Sequence, residues 1–197
     1  MLYLVRHGRT AVNAARRLLG RDDVPLDELG RRQAEALAKV PFLHGAERVV
    51  SSPLSRALAT AASLGPPVTV DEGWIELDYG VFDGRTLDEA SELWRHWSTD
   101  LSFTPEGGES ISSMSARVRK VCEGLWDEAA SSDVVVVSHV SPIKAAVAWA
   151  IGAGDDTSWR MFVDVASVTT IGPGRMSAGR PLPSLRGFNE THFRPGQ

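Results

Sequence analysis

The sequence predicts a layered α/β fold in which buried strands alternate with amphipathic helices. Three stretches carry that expectation. Leu2-Tyr3-Leu4-Val5 is an apolar run of strand length, and Arg6-His7-Gly8 follows it as a turn. Val134-Val135-Val136-Val137 is an unbroken β-branched run, as suits a parallel strand covered on both faces, and it leads into Ser138-His139. Between them, Ile111, Met114, Val118, Val121 and Leu125 recur every three or four residues, with Trp126 at their edge. That spacing is one face of an amphipathic helix, so these residues are expected in a core.

The remaining elements follow from local signals. After Thr10 a helix-compatible segment extends to about Leu19, and Gly20 to Pro25 reads as a loop. Asp27 is placed to cap a helix carrying Leu29, Gln33, Ala34, Leu37 and Ala38, which Pro41 ends. Arg48-Val49-Val50-Ser51 reads as a strand, and Ser52-Pro53 as the start of a helix reaching Gly65, with proline in its tolerated first turn. Val68-Thr69-Val70 is a short strand. From about 74 to 109 the pattern is irregular, and it reads as a small cap-like insertion with one helix from Leu87 to about Trp97. Its tryptophans are expected to pack rather than to stack on a ligand. Ser110 caps the long helix, Ser141-Pro142 opens another, Val165 to Ile171 is a later strand, and Leu185 to Phe188 is an edge strand. The whole, residues 1–197, is expected to form one domain.

Composition narrows the function classes. A net charge of −4 gives no bulk attraction for nucleic acid or an anionic membrane, so any anion site must be a local cluster of arginines. The single cysteine, Cys122, rules out an intrachain disulfide and a multi-cysteine metal site, and its helical setting reads as a small buried hydrophobe. No His-x-His, His-Glu-x-x-His or carboxylate cluster suggests a metal. There is no visible signal peptide and no run of membrane-spanning length, so the expectation is a cytoplasmic protein.

The chemistry is expected at three strand-to-helix junctions. The first delivers Arg6 and His7, the second Ser51, Ser52 and Arg56, the third His139. If their strands are parallel neighbours, all three meet at one end of the sheet, where α/β proteins bind ligands. Arginine offers charged, bidentate hydrogen bonds to phosphate oxygens, and helix N-termini add unpaired N–H groups. A neutral imidazole can attack phosphorus, and nearby cations keep it unprotonated. The second histidine could stabilise charge on a nonbridging oxygen. The proton donor for the leaving oxygen is then Glu76, an acid among apolar residues in Trp74-Ile75-Glu76-Leu77, with Asp78 and Asp83 as substitutes.

Competing phosphate motifs fail. Gly80 to Thr86 is one residue short of a P-loop and has arginine in place of its lysine. Cys122 lacks the arginine of a cysteine phosphatase, and no Gly-x-Ser-x-Gly elbow occurs.

Leu4-Val5-Arg6-His7-Gly8 resembles the opening signature of the histidine phosphatase superfamily, in its phosphoglycerate mutase-like branch. The resemblance continues in order through Asn13, Gly20, Pro25-Leu26, Gly30 to Ala34, Ser51 to Ala57, Glu76 to Gly80, Gly107 to Ser110 and Val137-Ser138-His139, fading after about Gly172. It implies a three-layer α/β/α sandwich with a mostly parallel central sheet. It also implies that His7 becomes phosphohistidine, that Arg6, Arg56 and His139 form the phosphate pocket, and that Glu76 protonates the leaving group and then activates water. Asn13 stands where the family places an asparagine amide on the phosphate, and no metal or other cofactor is implied. Arg9 replaces a common glutamate, which makes the mouth more basic; Leu19 replaces a polar side chain, and Asp83-Gly84 stands for Glu-Gly. Arg9, Arg21 and Ser110 complete the expected substrate-binding set with Asn13, although Ser110 serves equally as a plain helix cap.

The expected partner is a small phosphorylated metabolite, with no nucleic acid or membrane; self-association into a homo-oligomer is left open. The leading function is a phosphomonoesterase acting through His7. The runner-up, a phosphoglycerate mutase, needs extra basic residues to hold a bisphosphorylated intermediate, and the segment from Gly73 to Gly84 supplies none. A noncatalytic phospholigand-binding module is a third reading.

Overall fold

The computed structural model describes residues 1–193. Among them, six strands form one sheet: β1 (Leu2–Arg6), β2 (Arg48–Ser51), β3 (Val68–Val70), β4 (Val134–Ser138), β5 (Val168–Ser177) and β6 (Arg180–Glu190). Their order is β3-β2-β4-β1-β5-β6. The first four strands in the chain run parallel to one another, and only β5 points against the rest. The helices are α1 (Ala11–Ala14), α2 (Glu28–Leu37), α3 (Pro41–His44), α4 (Ser55–Ala62), α5 (Ser91–Trp97), α6 (Ile111–Ala129) and α7 (Val140–Ile151).

The period of two along a strand sorts its side chains into two cores. Leu2, Leu4, Val134 and Val136 pack with Met114, Val118 and Cys122 of α6 and Ile143 and Ala146 of α7. Tyr3, Val5, Val135 and Val137 pack on the other face with Leu37 of α2 and Ala57 and Ala61 of α4. Helices therefore cover both faces, giving the three-layer sandwich. Val134 to Val137 are fully buried, each contributing about 1.5–3 kcal/mol. The irregular segment after β3 is tied down by Trp74, Leu77, Tyr79 and Trp97, all members of the α6–α7 core.

Several boundaries differ from the sequence expectation, each for a tertiary reason. The helix after Thr10 ends at Ala14 instead of about Leu19, because Arg16 takes a left-handed φ of 54° and the chain then runs against residues 84–86. There Leu18 N–H donates to the Arg85 carbonyl at 2.8 Å. Helix α4 starts at Ser55, not at Ser52-Pro53, since Pro53 holds Ser52 extended and the Ser52 N–H still bonds the Val137 carbonyl at 3.0 Å. Pro41 ends α2's run as expected but also opens the single turn of α3. Helix α5 begins at Ser91 rather than Leu87. The late strand starts at Val168, because Ala166 is left-handed (φ 52°) and donates its N–H to the His7 carbonyl. It then continues past Gly172 and Pro173, paired in regular register with Ser184 and Pro183, into a hairpin with β6, the edge strand; the register shifts lie on either side of that pair.

Candidate active site

The site lies at the carboxyl ends of β1, β2 and β4. Arg6 is paired with Ser138, and Ser51 with Val137, in the parallel ladders, so the residues that follow each strand emerge side by side. His7 N–H still bonds the Ser138 carbonyl (3.1 Å), which fixes the histidine's backbone to β4. Gly8 has no side chain for a physical reason: a Cβ there would lie 2.4 Å from the Gly30 carbonyl oxygen. Only glycine lets α2 close against the turn that carries His7. The Gly8 N–H donates to Thr60 Oγ1 on α4 (3.1 Å), clamping the turn from the other side.

The hydrogen bonds of His7 decide its chemistry. Its Nδ1 lies 2.7 Å from the Gly8 carbonyl oxygen. A carbonyl can only accept, so Nδ1 carries the proton and Nε2 keeps its lone pair. Burial, reinforced by the positive charges of Arg6 and Arg56, pushes the His7 pKa well below the usual imidazole value, and the ring is neutral. His139 lies beside it, with ring centroids 5.1 Å apart, and it too is held neutral by burial, then by His7 and Arg56. Its Nε2 is 2.7 Å from Ser52 Oγ, while its Nδ1 is buried without a partner among the described residues.

The two arginines differ in placement. Arg6 lines the cavity and donates one terminal N–H to the Val163 carbonyl (2.7 Å); burial lowers its pKa to about 10, so it remains charged. Arg56 is fully buried behind the site and donates to the carbonyls of Asp22 (2.7 Å) and Gly20 (2.6 Å), holding the Gly20–Asp22 loop. The Nε of each arginine is buried without a partner among the described residues. Three buried nitrogens with unmet hydrogen-bonding capacity thus belong to side chains around His7. Groups of that kind are rare in folded proteins and signal an absent partner.

Glu76 is 3% exposed, and both N–H donors that reach it, from Leu77 (2.8 Å) and from Ser141 in the first turn of α7 (3.2 Å), bind Oε1. Oε2 is left to carry a proton. Burial raises the carboxyl pKa against the opposing pull of the Leu77 N–H, the Ser141 side chain, Arg56 and Arg6. The loop that presents Glu76 hangs on Arg117 of α6. Its guanidinium donates to the carbonyls of Gly73 (2.9 Å), Ile75 (2.8 Å) and Glu76 (3.2 Å) and grips both carboxylate oxygens of Glu109 (2.9 Å each). Sequence reading missed Arg117, because nothing local distinguishes it from the other charges of α6.

Arg6, His7, Asn13, Leu19 and Glu76 all line one cavity of about 690 Å³. Asn13 Oδ1 accepts from the Thr10 N–H and hydroxyl as part of a capping box, so its amide nitrogen is the end available to a ligand. The other expected substrate contacts are not brought in. Arg9 is paired with Asp27 (2.8 Å) on the α2 side and lies outside the cavity lining. Arg21 is held by Glu109 (3.0 Å) and Asp78 (3.5 Å). Ser110 is the buried cap of α6, its Oγ accepting from the Ser113 N–H. Asp83 ties the same region together, accepting from the N–H groups of Gly20 and Asp22.

The cavity also uses residues the sequence did not single out for it: Tyr79, Asp88, Ser91, Lys144, Ser158 and Trp159. Ile111 and Met114, expected as pure core, line it as well, as do Trp94 and Trp97. The recurrence of Asp88, Ser91, Trp94 and Trp97 at intervals of three was the available signal for one wall; Trp159 had none. Cys122 is fully buried, and burial pushes its thiol pKa up, as expected of a core residue. Among the described residues no group of three or more His, Cys, Asp or Glu could hold a metal ion, and no helix is long and apolar enough to cross a membrane.

Comparison with known proteins identifies the family and the fold. The family model for the histidine phosphatase superfamily (branch 1) matches residues 2–178. The "Bifunctional protein Rv2228c" of Mycobacterium tuberculosis is 40% identical over 177 residues, 85% of this chain but 49% of the relative. This chain therefore spans about half the length of that curated relative. The "Probable phosphoglycerate mutase GpmB" of Cronobacter sakazakii is 35% identical over 77% of this chain and 74% of its own. Among solved structures, the phosphoserine phosphatase of Entamoeba histolytica superposes with a TM-score of 0.86 at 26% identity, covering 98% of both chains. The mycobacterial glucosyl-3-phosphoglycerate phosphatase gives 0.85 at 28% identity, over 96% of this chain and 99% of that one.

Proposed function

The chain belongs to the histidine phosphatase superfamily, branch 1, and from that premise we propose that it is a phosphomonoesterase working through a phosphohistidine on His7. One observation carries the reading: the unpartnered, buried nitrogens of Arg6, Arg56 and His139 belong to side chains around an imidazole whose Nε2 is free. A phosphoryl group supplies the oxygens those nitrogens lack and the phosphorus that Nε2 attacks.

The steps follow from the protonation states. The Nε2 lone pair of His7 forms a bond to phosphorus as the bond to the ester oxygen breaks. Glu76, whose carboxyl pKa burial raises, delivers an Oε2 proton to that oxygen, and the alcohol leaves. The resulting carboxylate takes a proton from water, whose oxygen attacks phosphorus; the P–N bond breaks, phosphate departs and His7 is regenerated.

Hydrolysis is favoured over return of the phosphoryl group. A mutase holds a second anionic group while the first is on histidine. Beyond Arg6 the cations lining the cavity are Arg17, engaged with the Gly84 carbonyl and Glu89, and Lys144. The test is direct. Phosphate release from a panel of esters is measured alongside conversion of 3-phosphoglycerate to 2-phosphoglycerate, with and without 2,3-bisphosphoglycerate. Isomerisation faster than phosphate release overturns the proposal.

A further inference from the structure

The phosphate floor accounts for Arg6, His7 and Glu76 but leaves most of the 690 Å³ cavity without a role, a volume suited to a ligand far larger than phosphate. What remains is a wall of hydrocarbon. Leu18, Leu87, Trp94, Trp97 and Trp159 form it. Two of the indoles cannot offer their N–H groups to a ligand, since Trp94 Nε1 donates to the Leu87 carbonyl (3.2 Å) and Trp97 Nε1 to the Phe103 carbonyl (2.8 Å). They present ring carbon only. Trp94 stands at the centre of the group, in edge contact with Trp159 (6.1 Å between centroids) and 5.8 Å from Trp97.

Two members of the wall are also anomalously wet. Leu87 is 56% exposed and Trp159 45% exposed, although both face a cavity that contains a reactive site. Large apolar side chains left open beside a pocket mark a surface that something apolar covers. Charge points the same way. Lys144 sits toward the floor, near enough to feel Glu76 and Arg6, and the rim beyond the wall carries the carboxylate of Asp88. Of the other lining cations, Arg17 is already engaged with the Gly84 carbonyl and Glu89, so a second anionic group placed against the wall would meet indole carbon or Asp88. Ser91 and Ser158 are the hydroxyls interspersed in the lining on that side, but a polyol lying against the indoles would press hydroxyls on carbon, and polar groups buried without partners are strongly disfavoured.

We infer that the alcohol half of the substrate is apolar: an aromatic or branched hydrocarbon group on the ester oxygen, rather than a sugar, a glycerate or an amino acid. The inference rests on the phosphomonoesterase reading above and specifies which monoesters that site takes. The phosphate reaches the floor, the ester oxygen meets Glu76, and the hydrocarbon lies against Trp94 and Trp159.

The test compares 2-phenylethyl phosphate with glycerol 3-phosphate, two esters of poor leaving alcohols, so that a difference between them reports binding of the alcohol and not its intrinsic reactivity. The expected kcat/KM ratio is about tenfold or more in favour of the phenylethyl ester, as burial of one ring implies. Trp159→Ala, at an exposed position where folding is not at risk, is expected to reduce that ratio by about fivefold, chiefly through KM. Leu87→Ser acts in the same direction. A smaller ratio in the unmodified protein, or one that neither substitution moves, overturns the apolar assignment while leaving the phosphomonoesterase intact. Absence of phosphate release from both esters and from 4-nitrophenyl phosphate overturns the phosphomonoesterase reading itself, and the apolar assignment with it.

Discussion

The floor of the cavity and its wall are built in opposite ways. At the floor, His7 and His139 follow adjacent parallel strands whose residues are paired one to one, and backbone hydrogen bonds hold each turn. The wall opposite is assembled from α5, the loop before it and the turn Asp155–Arg160, and side-chain packing, with indole hydrogen bonds to the Leu87 and Phe103 carbonyls, sets where Trp94, Trp97 and Trp159 stand. A sheet edge tolerates little variation, because moving one strand end misplaces every reacting group. Loops and short helices can change composition without disturbing the ladder. On the proposed function, the contrast puts the chemistry on the hydrogen-bonded sheet end and the choice of alcohol on the wall of short helix and loops.

That contrast can be broken most severely at the floor. His7→Ala is expected to lower kcat by about 10⁴-fold or more and to abolish an alkali-stable, acid-labile ³²P label on the protein, since no other group supplies the free Nε2. A variant that still turns over with an intact label would return the nucleophile to another residue. Glu76→Gln comes next. For esters of poor leaving alcohols kcat should fall by about 10²–10³-fold, but for 4-nitrophenyl phosphate much less, because that phenolate needs no proton. The sign of the pH effect follows from the raised pKa: the protonated acid is the active form, so kcat of the unmodified enzyme declines as pH rises through that value, and the decline disappears in the glutamine variant.

Arg117→Lys probes the seam between the two parts. Lysine cannot satisfy three carbonyls and a bidentate carboxylate at once, so the Glu76 loop should loosen. We expect a loss of about 2–3 kcal/mol in denaturant unfolding and a drop of roughly tenfold in kcat, the drop confined to substrates that need the acid. Equal losses for 4-nitrophenyl phosphate would make Arg117 a purely structural residue.

The neutral histidines of the floor also set an acid limit. Both have folded-state pKa values well below 6.5, so the unfolded chain binds protons that the native one does not. Their contribution is full above pH 6.5 and is lost as pH falls from there toward the folded values. The slope is about 1.4 kcal/mol per pH unit for each ring. His139→Asn should make the unfolding free energy depend less steeply on pH between 7 and 5; an unchanged dependence would mean that His139 titrates alike in the folded and unfolded chain. The smallest effect is expected at Arg9. Its guanidinium is engaged with Asp27 outside the cavity, so Arg9→Ala should alter kcat/KM less than about twofold and stability by about 0.5 kcal/mol.

The sequence reading placed a residue correctly where its position depends on a strand ending beside it, as at His7 and His139. It failed where the role depends on what arrives from elsewhere. Arg9 follows His7 by two positions and was expected at the mouth, yet the chain turns it toward α2, where Asp27 takes its charge. Arg56 was expected in the phosphate pocket; its terminal nitrogens also brace the Gly20–Asp22 loop, a second task that its sequence neighbours do not show. Met114 and Ile111 were read as core from their helical spacing; they are core and cavity wall together, because α6 runs past the open end of the sheet.

By itself the sequence determined the alternation of strands and helices, the two histidine turns, the buried acid in its apolar run and the caps at Asp27 and Ser110. Each is written in neighbouring residues, through a period of two or 3.6 or a side chain reaching three positions along. Only the tertiary structure decided that α1 stops at Ala14, that Arg117 carries the Glu76 loop across 41 residues, and that Trp159 meets Trp94 to close the hydrocarbon wall. Those outcomes depend on which distant surfaces compete for the same side chain, a competition that no local pattern encodes.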